Sequence, residues 1–189
     1  MAPWYFGLLG ASSAGPAGSY DLIETADISS TTSTVTFSGL GGYTDYKDLQ
    51  IRGVVRSNAN SSSMLTMLMY FNSDTGFNYT YHILNGNGSS VASTAESTFN
   101  RIGFQDVIPG GFSTTNAYGA IVADILDFSS SAKNTTVRAL GGLPTDAESD
   151  ISLFSGLWSN TSSVTSISFE AANASFLAGT RLSLYGIKG

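Results

Sequence analysis

The chain contains no cysteine, and its only histidine is His82. The first absence removes disulfides, thiolate nucleophiles and every cysteine-based metal site, and the second removes sites that need two imidazoles. Charge is scarce as well: Asp, Glu, Lys and Arg make up 12% of the residues, against about 25% in ordinary globular domains. The basic residues (Lys47, Arg52, Arg56, Arg101, Lys133, Arg138, Arg181 and Lys188) are scattered, and 14 acidic against 8 basic groups leave a net charge of −6. Direct binding to a nucleic-acid backbone is therefore not expected. The most apolar internal run, 64–71, is far shorter than the roughly 20 residues that span a bilayer, so no membrane partner is expected. No Lys or Arg precedes Lys47. The N-terminus thus lacks the basic region of a signal peptide, and the chain reads as a soluble protein with no export signal of its own.

What is present is apolar, aromatic and small-polar: 42% hydrophobic and 12% aromatic residues, with Ser, Thr, Asn and Gly carrying most of the polarity. A length of 189 residues suits one domain with a single core. Residues 1–19 stand apart, because the aromatic cluster Trp4, Tyr5 and Phe6 is followed by a Gly/Ala/Ser stretch over 10–19 that builds no regular element easily. They read as an N-terminal arm, and 20–189 as the folded domain.

From Tyr20 onward, short β-type runs recur every ~8–12 residues with turn residues between them and no helix-period stretch, the pattern of a sandwich or barrel. Strands are expected at 20–28, 34–37, 48–57, 64–71, 77–84, 100–107, 118–128, 135–140, 151–158, 164–169 and 181–187. Alternation is clearest in the third: Leu49, Ile51, Gly53 and Val55 face a core, while Gln50, Arg52, Val54 and Arg56 face water or a partner. Phe77, Tyr79, Tyr81 and Ile83 alternate with Asn78, Thr80, His82 and Leu84 in the same way. Turn chemistry falls at 72–76 and 85–88, and Pro109 is placed in a loop with Gly110 and Gly111. The fold expected is an all-β, antiparallel two-sheet sandwich of roughly ten strands, jelly-roll-like, with helix limited to a turn or two.

Candidate chemistry is thin. His82 lies on the polar side of its strand, with no Gly-x-Ser-x-Gly elbow to supply a nucleophile, so a surface histidine is the favoured reading. Asp146, Glu148 and Asp150 could gather round a calcium ion, but the spacing lacks the glycine and distal glutamate of an EF-hand loop, and a solvated acidic loop is favoured. Asp124, Asp127 and Glu170 sit at strand ends and could form a glycosidase pair only if folding brought two of them within ~5–10 Å. Six N-glycosylation patterns are what chance supplies in a chain so rich in Asn, Ser and Thr. Tyr43, Tyr46, Tyr79, Tyr81 and Trp158 could stack on sugar rings or anchor an interface, although core packing explains many of them equally well and Trp158 looks internal. No catalytic, cofactor or metal site is expected.

Five segments taken in order carry a resemblance. They are Tyr20-Asp21-Leu22-Ile23-Glu24-Thr25, Phe71-Asn72-Ser73-Asp74-Thr75-Gly76-Phe77-Asn78-Tyr79-Thr80-Tyr81, Leu84-Asn85-Gly86-Asn87-Gly88-Ser89-Ser90, Ser155-Gly156-Leu157-Trp158 and the closing run from Phe176 to Gly189 with its Ser183-Leu184-Tyr185-Gly186-Ile187. Together they resemble a family of small virion structural proteins of tailed bacteriophages, cyanophages among them. The resemblance implies a β-sandwich in the particle, either a cement or decoration protein on the capsid or a tail-associated binding module for host glycans. Of the two, the capsid role is favoured by the arm. The expected partners are the major capsid protein and further copies of the chain, a trimer first among oligomers. The expected location is the outer surface of the virion, after assembly in the bacterial cytoplasm. Within the arm, Trp4, Tyr5 and Phe6 are the expected partner-binding residues, since three exposed rings on a tail call for a pocket.

Overall fold

The computed structural model describes residues 19–60, 64–145 and 149–189. The expected arm, with Trp4, Tyr5 and Phe6, lies outside the described residues except for Ser19. Twelve strands form two antiparallel sheets: β1 (Tyr20–Asp27), β2 (Thr34–Ser38), β3 (Asp48–Val55), β4 (Met64–Phe71), β5 (Tyr79–Gly86), β6 (Val91–Phe99), β7 (Ile102–Pro109), β8 (Gly119–Leu126), β9 (Thr135–Leu143), β10 (Asp150–Trp158), β11 (Ser166–Ala171) and β12 (Arg181–Ile187). The large sheet runs β1-β12-β3-β8-β9-β10-β5-β6 and the small one β2-β11-β4-β7. Among the described residues helix is confined to one 3₁₀ turn, Leu40–Gly42.

The strand order resolves into a jelly roll with two insertions. Without β5, β6, β9 and β10, eight strands remain, in two sheets ordered first-eighth-third-sixth and second-seventh-fourth-fifth. That is the double Greek key of a jelly-roll sandwich. The β5–β6 hairpin enters between β4 and β7, the β9–β10 hairpin between β8 and β11, and both join the large sheet beyond β8. The extended sheet curls over β7, which touches β3, β5, β8, β9 and β10. Close approach there depends on missing side chains: a Cβ on Gly119 would fall on the Val107 carbonyl, and one on Gly156 would lie 2.8 Å from Ile102 Cδ1.

Apolar residues at alternate positions of both sheets meet between them. Phe37, Phe71, Phe104, Phe128, Phe169, Phe176, Tyr79 and Trp158 are all fully buried. Trp158 packs on Phe71 and Tyr79, with centroids 5.5 and 6.4 Å apart, and Phe104 meets Phe154 edge-on at 5.3 Å. Burial of each large ring contributes roughly 2–3 kcal/mol.

Several expectations change. Val91–Phe99 is a strand the periodicity does not announce: nearly every side chain in it is exposed, so no alternation marks it. The strand expected at 77–84 runs two residues later, leaving Phe77 outside it and 72% exposed. Pro109 ends β7 rather than sitting in a loop, where its carbonyl accepts the Ser57 N–H at 3.0 Å; β7 is an edge strand, so the missing N–H costs no ladder bond. Gln50 is buried on the outer face, beneath a polar cluster described below.

Candidate functional site

The outer face of the large sheet carries the most unusual surface. Because its ladders are in register, outward side chains line up across all eight strands. One row reads Ser93, Leu84, Leu153, Leu140, Val122, Arg52, Ser183, Thr25 from β6 to β1. The next reads Gly86, Ile151, Gly142, Ala120, Val54, Arg181, Asp27 from β5 to β1. Each is aliphatic or small over the inserted strands and polar toward β1. The second row and the β9-to-β1 part of the first, from Leu140 to Thr25, line an open trough of about 1240 Å³ with the turn residues Asn87, Gly88 and Pro144.

Near the trough the usual pattern of a half-buried sheet is inverted. Leu140, Leu84, Leu153 and Ile151 are 42%, 48%, 54% and 61% exposed. On the opposite, inward positions of the same strands stand Asn85, Asp150 and Ser152, the last two buried. Asp150 accepts hydrogen bonds from Asn85 Nδ2 and Ser152 Oγ, both at 3.0 Å, so its buried carboxyl is satisfied. Aliphatic side chains grouped on an outer face form an exposed apolar patch.

A polar cluster borders the trough on the β3 side. The Arg52 guanidinium lies between the rings of Tyr20 and Tyr185, 5.0 and 4.9 Å from their centroids, and donates to Gln50. Gln50 Nε2 in turn donates to Asp124 Oδ1 at 2.6 Å, and Arg138 Nε pairs with Asp124 Oδ2 at 2.9 Å. This chain explains how a glutamine is buried on a solvent-side face: its amide oxygen accepts from Arg52 and its nitrogen donates to Asp124.

His82 stands exposed on the outer face directly opposite Ser155, in a row that continues through Arg138 to Asp124. No hydrogen bond joins His82 to Ser155, and the carboxylate of that row is already held by Gln50 and Arg138. Asp124 and Glu170 project from the outer faces of different sheets, so the sandwich separates them; Glu170 accepts from Thr34 Oγ1 at 3.2 Å, and Asp127 pairs with Lys133 at 2.8 Å. The hydrogen bond from Lys133 holds the Asp127 carboxyl below its ordinary range. Asp146 and Glu148 lie outside the described residues, and among the described residues no three His, Cys, Asp or Glu side chains gather for a metal.

Of the aromatic candidates, Tyr79, Tyr81 and Trp158 are core residues: Trp158 is internal as expected, and the two tyrosines are not surface rings. The Trp158 indole N–H donates to Asp74 Oδ2 at 2.8 Å. Tyr43 and Tyr46 lie 6.2 Å apart, and Tyr46 donates to Asp21 at 3.2 Å. Sequence reasoning missed Leu84, Leu140, Ile151 and Leu153. The available signal was that 151–158 carries apolar residues at both parities, Ile151 and Leu153 on one and Phe154 and Trp158 on the other. Comparison with protein-family models, curated proteins and solved structures found no match.

Proposed function

We propose that this chain is a structural protein of a phage particle: a cement or decoration subunit on the outer capsid surface, working as a homo-oligomer on the major capsid protein, with an N-terminal arm that grips neighbouring subunits. The observation that carries this reading is the inverted face of the large sheet, whose exposed leucines and isoleucine suit contact with a protein neighbour. Double-sheet jelly rolls recur in capsid proteins and in lectins, so the fold is compatible with the role without dictating it. The resemblance of 20–189 to phage virion proteins supplies the particle. The acidic balance suits a position outside the shell rather than against packaged nucleic acid.

A second reading, a tail-associated module that binds receptors or glycans, draws on the Tyr20, Arg52 and Tyr185 stack beside hydrogen-bonding Gln50 and Asp124. Copy number per virion, measured by quantitative mass spectrometry of purified particles, separates the two: hundreds of copies are expected for the shell, and a few tens or fewer would move the protein to the tail. Light scattering of the purified protein is expected to give a trimer, and a strict monomer both free and on the particle would count against the cement role.

A further inference from the structure

We propose that the trough on the large sheet receives residues 4–9 of a second copy of this chain, so that copies are linked by exchange of their N-terminal segments. This rests on the reading of the arm as the element that binds a partner, and it names the partner and the seat.

The chemistry matches on both sides. Segment 4–9 offers Trp4, Tyr5, Phe6, Leu8 and Leu9, and no charged side chain occurs before Asp21. The trough offers Val122, Leu140 and Ile151 for the rings, with Gly86 and Gly142 leaving depth between them. On the far wall Asp27 provides an acceptor for an indole N–H or a phenol, the polar handle that buried Trp and Tyr require. The dimensions match too. From Asp27 on β1 to Gly86 on β5 the trough crosses six interstrand steps, ~29 Å, and six extended residues, ~20 Å long, fit within it.

The direction of the chain favours exchange over self-coverage. The Lys188 N–H donates to the Ser19 carbonyl at 3.3 Å, so the chain still follows β12 there, at the end of β1 where Tyr20 faces Ile187. The trough lies at the opposite end, where Asp27 faces Arg181. To reach its own trough the segment would have to double back across the stack of Tyr20, Arg52 and Tyr185. Residues 10–19 reach at most about 35 Å when extended, enough to bridge to an adjacent copy. Such a head-to-tail contact closes into a ring when the rotation between copies allows, which is how a trimer would arise.

The test uses the full chain with a photoreactive benzoylphenylalanine in place of Phe6. Unlabelled and ¹⁵N-labelled preparations are mixed, irradiated and mapped by mass spectrometry. Mixed-label adducts to β8–β10 are expected. Same-label adducts alone would show each chain covering itself, and adducts elsewhere would show a different seat; either overturns the proposal. Leu140→Asp, and separately Ile151→Asp, change exposed side chains and are expected to lower the mixed-label yield roughly tenfold or more with the melting temperature kept. An unchanged yield in both folded variants overturns it. Particle occupancy is measured in parallel: exchange in a protein absent from virions leaves this proposal standing and removes the virion role, while full occupancy without exchange does the reverse.

Discussion

Two edge strands of similar length have opposite surroundings. β7 borders the small sheet, and the large sheet curls over it, so that six of its eight residues are buried. β6 borders the large sheet beyond the reach of the small one, and all but Glu96 and Phe99 of its side chains are exposed. Both are held by antiparallel ladders, β7 to β4 and β6 to β5. A ladder needs only backbone, whereas an amphipathic pattern needs a face to bury. Core stability should therefore reside around β7, and β6 should be nearly free to change.

The largest break in that contrast is Phe104→Ala in β7. Its ring is fully buried against Phe154, and its removal should cost about 3–5 kcal/mol, read as a lower urea midpoint at unchanged slope. A loss under about 1 kcal/mol would mean that the curl over β7 is loosely packed.

A smaller effect is expected at Asp74, which ties the loop after β4 to the core. Its carboxylate accepts from Gly76 N, Asn78 Nδ2 and Trp158 Nε1, each at 2.8 Å. Burial raises its pKa, but these hydrogen bonds outweigh burial and hold the carboxyl below its ordinary value. Asp74→Ala should cost about 2 kcal/mol, because the Trp158 N–H loses its acceptor. The sign of the pH effect follows: a depressed folded pKa gives stability that is complete above the unfolded value of about 3.9 and is lost as pH falls through the folded one. Urea midpoints between pH 6 and pH 3 should fall less steeply in the variant than in the parent.

The smallest effect is Val91→Ala in β6. Val91 is 75% exposed, so stability should stay within about 0.5 kcal/mol. Amide exchange is expected to be faster in β6 than in β7, and equal protection of the two strands would sink the comparison.

The same contrast explains how much the sequence disclosed. Strands with one buried face were legible: Leu49, Ile51 and Val55 face inward as their spacing requires, and the jelly-roll class follows from many such runs. β6 was not, because Val91-Ala92-Ser93-Thr94-Ala95-Glu96 carries no periodic signal when neither face is covered. Tyr79 and Tyr81 could be assigned to a side of their strand and still read as core or as surface rings, since period 2 does not say which face a second sheet covers. Ile151 and Leu153 stayed hidden for the converse reason: apolar residues at both parities read as a fully buried strand, yet one side lies open.

The position of β12 has a consequence in time. It lies between β1 and β3, and the 20–27 segment closes its ladder only against 181–187. During synthesis both neighbours wait with unpaired edges until nearly the whole domain has left the ribosome. Contacts so distant along the chain make for slow folding and a late, all-at-once closure. A ribosomal product that stops before β12 leaves the facing edges of β1 and β3 both unpaired, a form fit for aggregation or proteolysis. β12 thus decides whether the large sheet closes at all.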